Sequence, residues 1–202
     1  MTKIASFFLT SMLFFIITDE ISGQTESGNI LIGGGSQLSL SRLNTSWESN
    51  LNDPKRTTAI EFSPHFGFFI SNSLVLGGMV PLTRVTERVN MIKEKVTSAA
   101  IGPFFRYYLQ KEGNISTFFQ AMSGPGHMRM TKSWEKEIIS YRMFVYEIDL
   151  GIAFFVNENV SFDLILGYAS AKYNKITSIE PDESDIFFTK GLGIKLGLAV
   201  IL

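Results

Sequence analysis

The sequence lacks cysteine altogether in its 202 residues. A disulfide framework, a thiolate metal site and a cysteine nucleophile are therefore excluded. Charged residues are also scarce, at 18%, whereas soluble domains typically carry about 25%. The formal net charge is only −1, so no overall field would attract nucleic acid or an anionic surface. Nucleic acid is accordingly not an expected partner.

The sequence also has no apolar run long enough for a membrane-spanning helix. The N-terminal apolar stretch, which follows Lys3 and covers residues 4–17, has 14 residues, and such a helix needs roughly 20. A short basic start followed by a stretch of this length predicts a secretory signal peptide over residues 1–23, followed by one domain over residues 24–202. A retained anchor helix is the alternative.

Sustained helical periodicity is missing from the rest of the chain, and a period of two residues takes its place. In the C-terminal segment, large apolar residues at every second position from Leu192 to Leu202 alternate with small residues and Lys195. Other segments repeat this alternation, which predicts β-strands. Eight strands are expected, at about 29–42, 58–70, 74–88, 96–110, 115–128, 138–156, 160–175 and 186–202.

The connections between these strands differ in length at the two ends. Those after the even-numbered strands are short and polar, at residues 71–73, 111–114 and 157–159, whereas those after odd-numbered strands, such as 43–57 and 176–185, are longer. This asymmetry is typical of outer-membrane barrels. It predicts an all-β fold, an eight-stranded antiparallel up-and-down transmembrane β-barrel. The short turns and both termini would be periplasmic and the longer loops extracellular.

The two faces of each strand decide between a membrane barrel and a soluble, lipocalin-like barrel. An eight-stranded barrel is just wide enough for side chains to fill its interior. The uniformly large apolar face would overfill that space, whereas it suits lipid, and a closed barrel leaves no unpaired backbone edge in the bilayer. Aromatic residues near strand ends are interpreted as interfacial girdles: Phe68, Phe105, Tyr107, Tyr141, Tyr146, Phe154 and Phe188.

The opposite face places charged side chains in the predicted lumen. Arg106 and Lys195 are the natural counter-ions for the carboxylates, because a buried charge is tolerable only when it is paired. Asp163 and Lys195 lie on neighbouring predicted strands. Both an ionic plug and a narrow ion or proton pathway are consistent with this set. The predicted lumen charge network consists of Glu61, His65, Arg106, Glu147, Asp149, Asp163 and Lys195.

Three segments carry a family resemblance: residues 101–109 (IGPFFRYYL), residues 62–70 (FSPHFGFFI) with Asn72 and residues 74–78 (LVLGG), and residues 191–202. They resemble the outer-membrane β-barrel domain family, namely small OmpA/OmpX-like porin-family barrels of the type abundant in Bacteroidetes. The resemblance implies the outer membrane of a Gram-negative bacterium, contact with outer-membrane lipid and lipopolysaccharide, and insertion by the barrel-assembly machinery. Such barrels usually end in an aromatic residue, whereas this sequence ends in Leu202.

An active site is not expected from the residues. Glu61, Ser63 and His65 share one face of a strand, but neighbours on that face lie about 6.5–7 Å apart, too far for a direct Ser–His bond. His127 is not followed by a His-x-Ser arrangement. The acidic segment of Glu180, Asp182, Glu183 and Asp185 is interpreted as a solvated loop, with a divalent cation site as the alternative. No catalytic residue, metal or cofactor is predicted.

Three functions remain open at this level. The favoured hypothesis is a structural or surface-interaction barrel with a plugged lumen, whose partner would be an unidentified surface or periplasmic protein. The alternative is a narrow channel or transporter for small solutes. A lipid-modifying surface enzyme is the least favoured, since only Ser63 and His65 suggest it.

Overall fold

The computed structural model describes residues 26–44, 54–89, 92–132, 138–176 and 186–202. The predicted signal peptide lies outside these residues. Within them, no helix is long and apolar enough to cross a membrane. The strands are β1 (Ile30–Asn44), β2 (Pro54–Ser71), β3 (Leu74–Met79), β4 (Leu82–Val89), β5 (Ile92–Ala100), β6 (Gly102–Glu112), β7 (Ile115–Lys132), β8 (Ile138–Phe155), β9 (Val160–Lys175) and β10 (Ile186–Ile201).

The strands form one closed antiparallel ring. β1 pairs with both β2 and β10, and β7, β8, β9 and β10 pair in chain order. β3 pairs with β2 and β6, and β4 pairs with β2 and β5. β3 and β4 share one position in the ring, since both pair with β2, and β5 and β6 share the next, since both pair with β7. The ring therefore has eight positions, and the predicted eight-stranded up-and-down barrel is confirmed.

The third and fourth predicted strands are not continuous. The third breaks at residues 80–81 and the fourth at Ile101. Proline cannot donate to a β-ladder, and Pro64, Pro81, Pro103 and Pro125 lie close together on adjacent strands at this level. The carbonyls of Pro64, Pro81 and Pro125 accept backbone hydrogen bonds across the interruption, at 2.9–3.0 Å. The break therefore runs across four neighbouring positions of the ring, and we call this level of the barrel the bend line.

Glycines allow the strands to approach closely along this line. A Cβ atom on Gly124 would overlap with the carbonyl oxygen of Ile101, and one on Gly102 would overlap with that of Ser123. Both overlaps are with backbone atoms, which cannot rotate away as a side chain could. The close approach of the two backbones along the bend line therefore requires glycine at these two positions.

The two ends of the barrel differ, as predicted. The turn end carries connections of residues 72–73, 113–114 and 156–159, and Gly113 there has a left-handed φ of 58°. Ile30 and Leu202 exchange backbone hydrogen bonds of 2.8 and 2.9 Å at the same end. At the other, loop end, three connections are longer. The fourth comprises only residues 90–91, because β4 and β5 stay paired up to that point.

The outer surface of the barrel is apolar and its interior is filled. Outward residues of β10 such as Leu192 and Leu196 are 76% and 68% exposed, whereas inward Lys195 is 5% exposed. The predicted inversion of faces is therefore present in the fold. Tyr141, predicted as a girdle residue, instead packs against the interior core and lies edge-on to Phe187 at 5.3 Å. It has the same parity as the buried Met143 and Val145.

We expect Gly124→Ala to destabilise the barrel, because the added methyl group must displace the backbone of β6. Overpacking of this kind costs about 1–3 kcal/mol. The urea midpoint of the chain refolded in detergent micelles should fall accordingly. Gly191→Ala is the matched control, since nothing lies within 4 Å of its Cβ position. Equal midpoints for the two variants would contradict the bend-line interpretation.

Candidate functional site

The candidate site is the interior of the barrel, which is layered along its axis. The layer nearest the turn end is apolar. Tyr108 lies between Phe69 and Phe118, with ring centroids 5.9 Å from each. Leu31, Val75, Ala153 and Ile201 are buried at the same end, each 2% exposed or less. Large side chains thus close this end of the lumen.

Arg106 forms the centre of the next layer and is fully buried. It lies on β6 with the same parity as Phe104 and Tyr108, so all three point inward. Its Nη1 donates to Asp163 Oδ2 at 2.8 Å, an ion pair that crosses the lumen from β6 to β9. Its guanidinium also stacks over the Phe118 ring at 4.0 Å. The side chain is therefore held by charge and by an aromatic face.

Gln120 on β7 links this cation to a second carboxylate. Its Oε1 accepts hydrogen bonds from Arg106 Nε at 3.0 Å and from Nη2 at 2.7 Å. Its Nε2 donates to Asp149 Oδ2 at 2.7 Å. Ser161 Oγ donates to the free oxygen of Asp163 at 2.9 Å. The amide therefore orients both Arg106 and Asp149 within one network.

Lys195 forms a second charged group, nearer the loop end. Its Nζ lies 2.6 Å from Glu147 Oε1 and 3.2 Å from Glu61 Oε1. Both are ion-pair distances, so Lys195 has two carboxylate partners. The sequence placed Lys195 next to Asp163 on the neighbouring strand, but the structure pairs Asp163 with Arg106 instead.

The seven residues predicted for the lumen network share one interior but divide between these two groups. Arg106, Asp163, Asp149 and His65 belong to the first, and Lys195, Glu147 and Glu61 to the second. Six of them are buried, and the side chain of Glu61 is 25% exposed. Four carboxylates thus face two permanent cations. Asp149 Oδ1 has no hydrogen-bond partner among the described residues.

A cavity of about 300 Å³ lies above the second group, toward the loop end. Glu61, Glu147 and Lys195 line it, together with small residues such as Gly167 and Gly191. Tyr173 also lines it and stacks on Phe187 at 4.5 Å. The interior therefore combines an open half at the loop end with a filled half at the turn end.

The column of Glu61, Ser63 and His65 does not form a nucleophile–base pair. Ser63 Oγ has no hydrogen-bond partner among the described residues. His65 Nδ1 lies 3.4 Å from the Ser63 carbonyl oxygen, and its ring stacks on Phe104 with centroids 4.8 Å apart. His65 Nε2 lies 3.5 Å from Arg106 Nη2. Catalysis by this pair would need a direct Ser–His bond.

Metal-binding geometry is likewise missing from the part of the chain that the structure describes. No group of three or more His, Asp or Glu residues there could hold a metal ion. The acidic segment of Glu180, Asp182, Glu183 and Asp185 lies outside the described residues.

Sequence reasoning missed Gln120 and Phe118, the two residues that bind Arg106 most closely apart from Asp163. Both lie on the inward face of β7, in the alternation Ser116, Phe118, Gln120 and Met122. The alternation in the sequence was enough to place both side chains on the inward face. Only titratable residues were assigned to the lumen charge network, however, and an uncharged amide or an aromatic ring gives no sign of its partner.

Comparisons with known proteins give structural likeness only. No family model matches the sequence, and no curated protein matches it. Among solved structures, the chain is similar to the attachment invasion locus protein Ail of Yersinia pestis, with 16% identity, 88% of this chain and 99% of that chain covered, and a TM-score of 0.45. It is also similar to Neisserial surface protein A, with 14% identity, 86% of this chain and 97% of that chain covered, and a TM-score of 0.45. A third similar structure is the outer membrane protein OprG of Pseudomonas aeruginosa, with 9% identity, 89% of this chain and 98% of that chain covered, and a TM-score of 0.47.

We expect Arg106→Met to destabilise the barrel strongly, because it leaves Asp163 buried without a counter-ion. Breaking a buried pair from one side costs about 3–5 kcal/mol. Adding Asp163→Asn should recover part of that loss, and a double-mutant cycle from urea unfolding in micelles measures the coupling. Effects that simply add would show that the two side chains do not stabilise each other.

Proposed function

We propose that the chain is an integral outer-membrane β-barrel with a plugged lumen, serving a structural or surface-interaction role. The single observation that carries the proposal is the inversion of the barrel, which is apolar outside and charged inside. A soluble barrel would expose its polar face to water. Here the outward residues of the strands are largely Leu, Ile and Phe. An exposed apolar surface of this extent requires lipid or another apolar partner.

The dimensions of the apolar surface support a bilayer location. On β10 the outward apolar residues run from Leu192 to Leu202, and on β2 from Ile60 to Ile70. Each stretch is about 34 Å long at ~3.4 Å per residue. With the usual strand tilt of about 40°, its height is about 26 Å, close to the ~25 Å apolar band of outer-membrane barrels.

The filled half of the lumen supports a plug rather than a pore. The aromatic layer of Phe69, Tyr108 and Phe118 closes the turn end. The Arg106–Asp163 pair spans the interior directly above it. An ion would have to break this hydrogen-bonded pair and pass between tightly packed rings. The cost of leaving either charge unpaired opposes such a passage.

The alternative is a narrow cation pathway, favoured by the surplus of carboxylates over permanent cations within the seven-residue lumen charge network. Asp149 has an oxygen without a hydrogen-bond partner among the described residues. The cavity would then be a vestibule leading to that carboxylate. The two functions differ in conductance, so one measurement separates them.

The orientation and the partners follow from the same proposal. The turn end, with both ends of the barrel domain, would face the periplasm, and the loop end would face outside. Lipid and lipopolysaccharide would surround the barrel, and the barrel-assembly machinery would insert it. An unidentified surface or periplasmic protein would bind at one of the exposed ends.

We expect the purified chain to give no steady conductance steps in planar bilayers. Insertion is verified in the same sample by a shift of the unboiled band on gel electrophoresis. Steady cation-selective steps that Asp149→Ala diminishes would refute the plug and support the channel. Lys172→Ala is the control, because it changes one exposed charge that lines neither the cavity nor the lumen network.

A further inference from the structure

A cationic patch covers the outer face of the barrel just beyond the bend line, toward the loop end. It consists of the cations Arg84 on β4, Lys95 on β5, Arg129 on β7 and Arg142 on β8, together with the imidazole of His127 on β7. Four of these side chains are exposed and Lys95 is partly exposed. They lie directly above Leu82, Ile101 and Pro125, where the outward apolar residues of β4, β6 and β7 end.

Strand pairing brings the members of the cationic patch together. Thr97 stands between Arg84 and Arg129, as a direct partner of each. His127 is the direct partner of Arg142. Neighbouring strands lie about 4.8 Å apart, so these side chains converge on one area of the surface.

On the outer face that the structure describes, no carboxylate lies beside the cationic patch. Glu87 and Glu94 belong to β4 and β5, but their positions have the opposite parity and face the interior. Among the described residues, no carboxylate forms an ion pair with any member of the patch. Like charges placed this closely repel one another, so a bound anion would stabilise the patch.

Two grooves on the outer face follow one another along β7. The upper groove, of about 450 Å³, is lined by Lys95, Thr97, His127 and Arg129 of the patch region. The lower groove, of about 320 Å³, lies between Phe105 and Tyr146, where the outward residues Ala121 and Ser123 are small. Ser123 and His127 are four residues apart, about 13 Å along the strand. The upper groove thus carries cationic side chains beside the apolar Ala99 and Ile138, and the lower one is largely apolar.

We propose that these grooves bind one phosphorylated glycolipid of the outer leaflet, of the lipid A class. The phosphate contacts Lys95, Arg129 and their neighbours, and an acyl chain lies between Phe105 and Tyr146. Charge complementarity selects the anion, and the apolar groove directly below it selects a lipid over a water-soluble polyanion. This inference rests on the proposed function, because it places the grooves at the outer boundary of the bilayer.

The experiment measures lipid retention by native mass spectrometry of the full chain in detergent micelles. The probes are diphosphoryl lipid A, phosphatidylcholine and inorganic pyrophosphate. We expect preferential retention of lipid A. Lys95→Gln with Arg129→Gln should weaken it at least about tenfold, since charge-assisted hydrogen bonds to phosphate are lost. Ala121→Leu with Ser123→Leu, which fills the lower groove, should weaken lipid A retention and leave pyrophosphate unaffected.

Lys172→Gln with Lys190→Gln is the matched control, because it removes the same charge from β9 and β10 and should leave retention unchanged. Equal losses in this control and in the patch variant would overturn the proposal, as would equal retention of phosphatidylcholine. If the patch variant loses pyrophosphate as well and filling the lower groove changes nothing, the ligand is a soluble anion and the lipid assignment is wrong.

A gel shift on boiling verifies folding of every variant before it is compared. The outcome is also separable from that of the proposed function. A chain found outside the outer membrane of the cell would refute the membrane location, whereas lipid A retention in micelles is measured independently of where the chain resides.

Discussion

The narrowness of an eight-stranded ring is the constraint on which the rest of this structure depends. Closing eight strands satisfies every ladder and leaves an interior that side chains alone can fill. The large residues of the alternation cannot all enter that interior. Most of them face outward, whereas small and charged residues face inward together with the aromatic layer of Phe69, Tyr108 and Phe118. The inversion, the apolar band and the charged lumen are therefore consequences of one geometric limit.

Charges inside so narrow a space must satisfy one another. Arg106 is surrounded by the Asp163 carboxylate, the Gln120 amide and the Phe118 ring. Each of its three guanidinium nitrogens therefore has a hydrogen-bond partner. Lys195 serves two carboxylates in the same way. Replacing such groups one at a time is costly, whereas the network as a whole is stable. This explains how the seven-residue network, with its four carboxylates and two permanent cations, can lie in a lumen that is packed closed at one end.

The bend line marks a change both in the interior and on the outer surface of the barrel. Inward glycines such as Gly102 and Gly124 let neighbouring backbones meet. On the outside, the same level marks the change from apolar residues to the cationic patch. The level at which the strands are interrupted is thus also the level at which the outer face changes its chemistry.

Alternation along the chain was sufficient to predict the ring, its inward and outward faces and the parity of the charged residues. It could not predict the pairing of Arg106 with Asp163, because β6 and β9 are not neighbours and meet only across the lumen. The breaks at Pro81 and Ile101 were also missed, since parity continues through both. Tyr141 was misassigned because its closeness to a strand end was weighed above its inward parity.

The most direct test of the account is the water accessibility of alternate positions on β10. The native sequence has no cysteine, so a single introduced thiol reports on one site. In lipid vesicles, Ile194→Cys and Leu196→Cys should resist a water-soluble maleimide until the chain is denatured. Gly191→Cys, which faces the interior cavity, should react readily. Equal reaction rates at all three positions would contradict an apolar outer face in lipid.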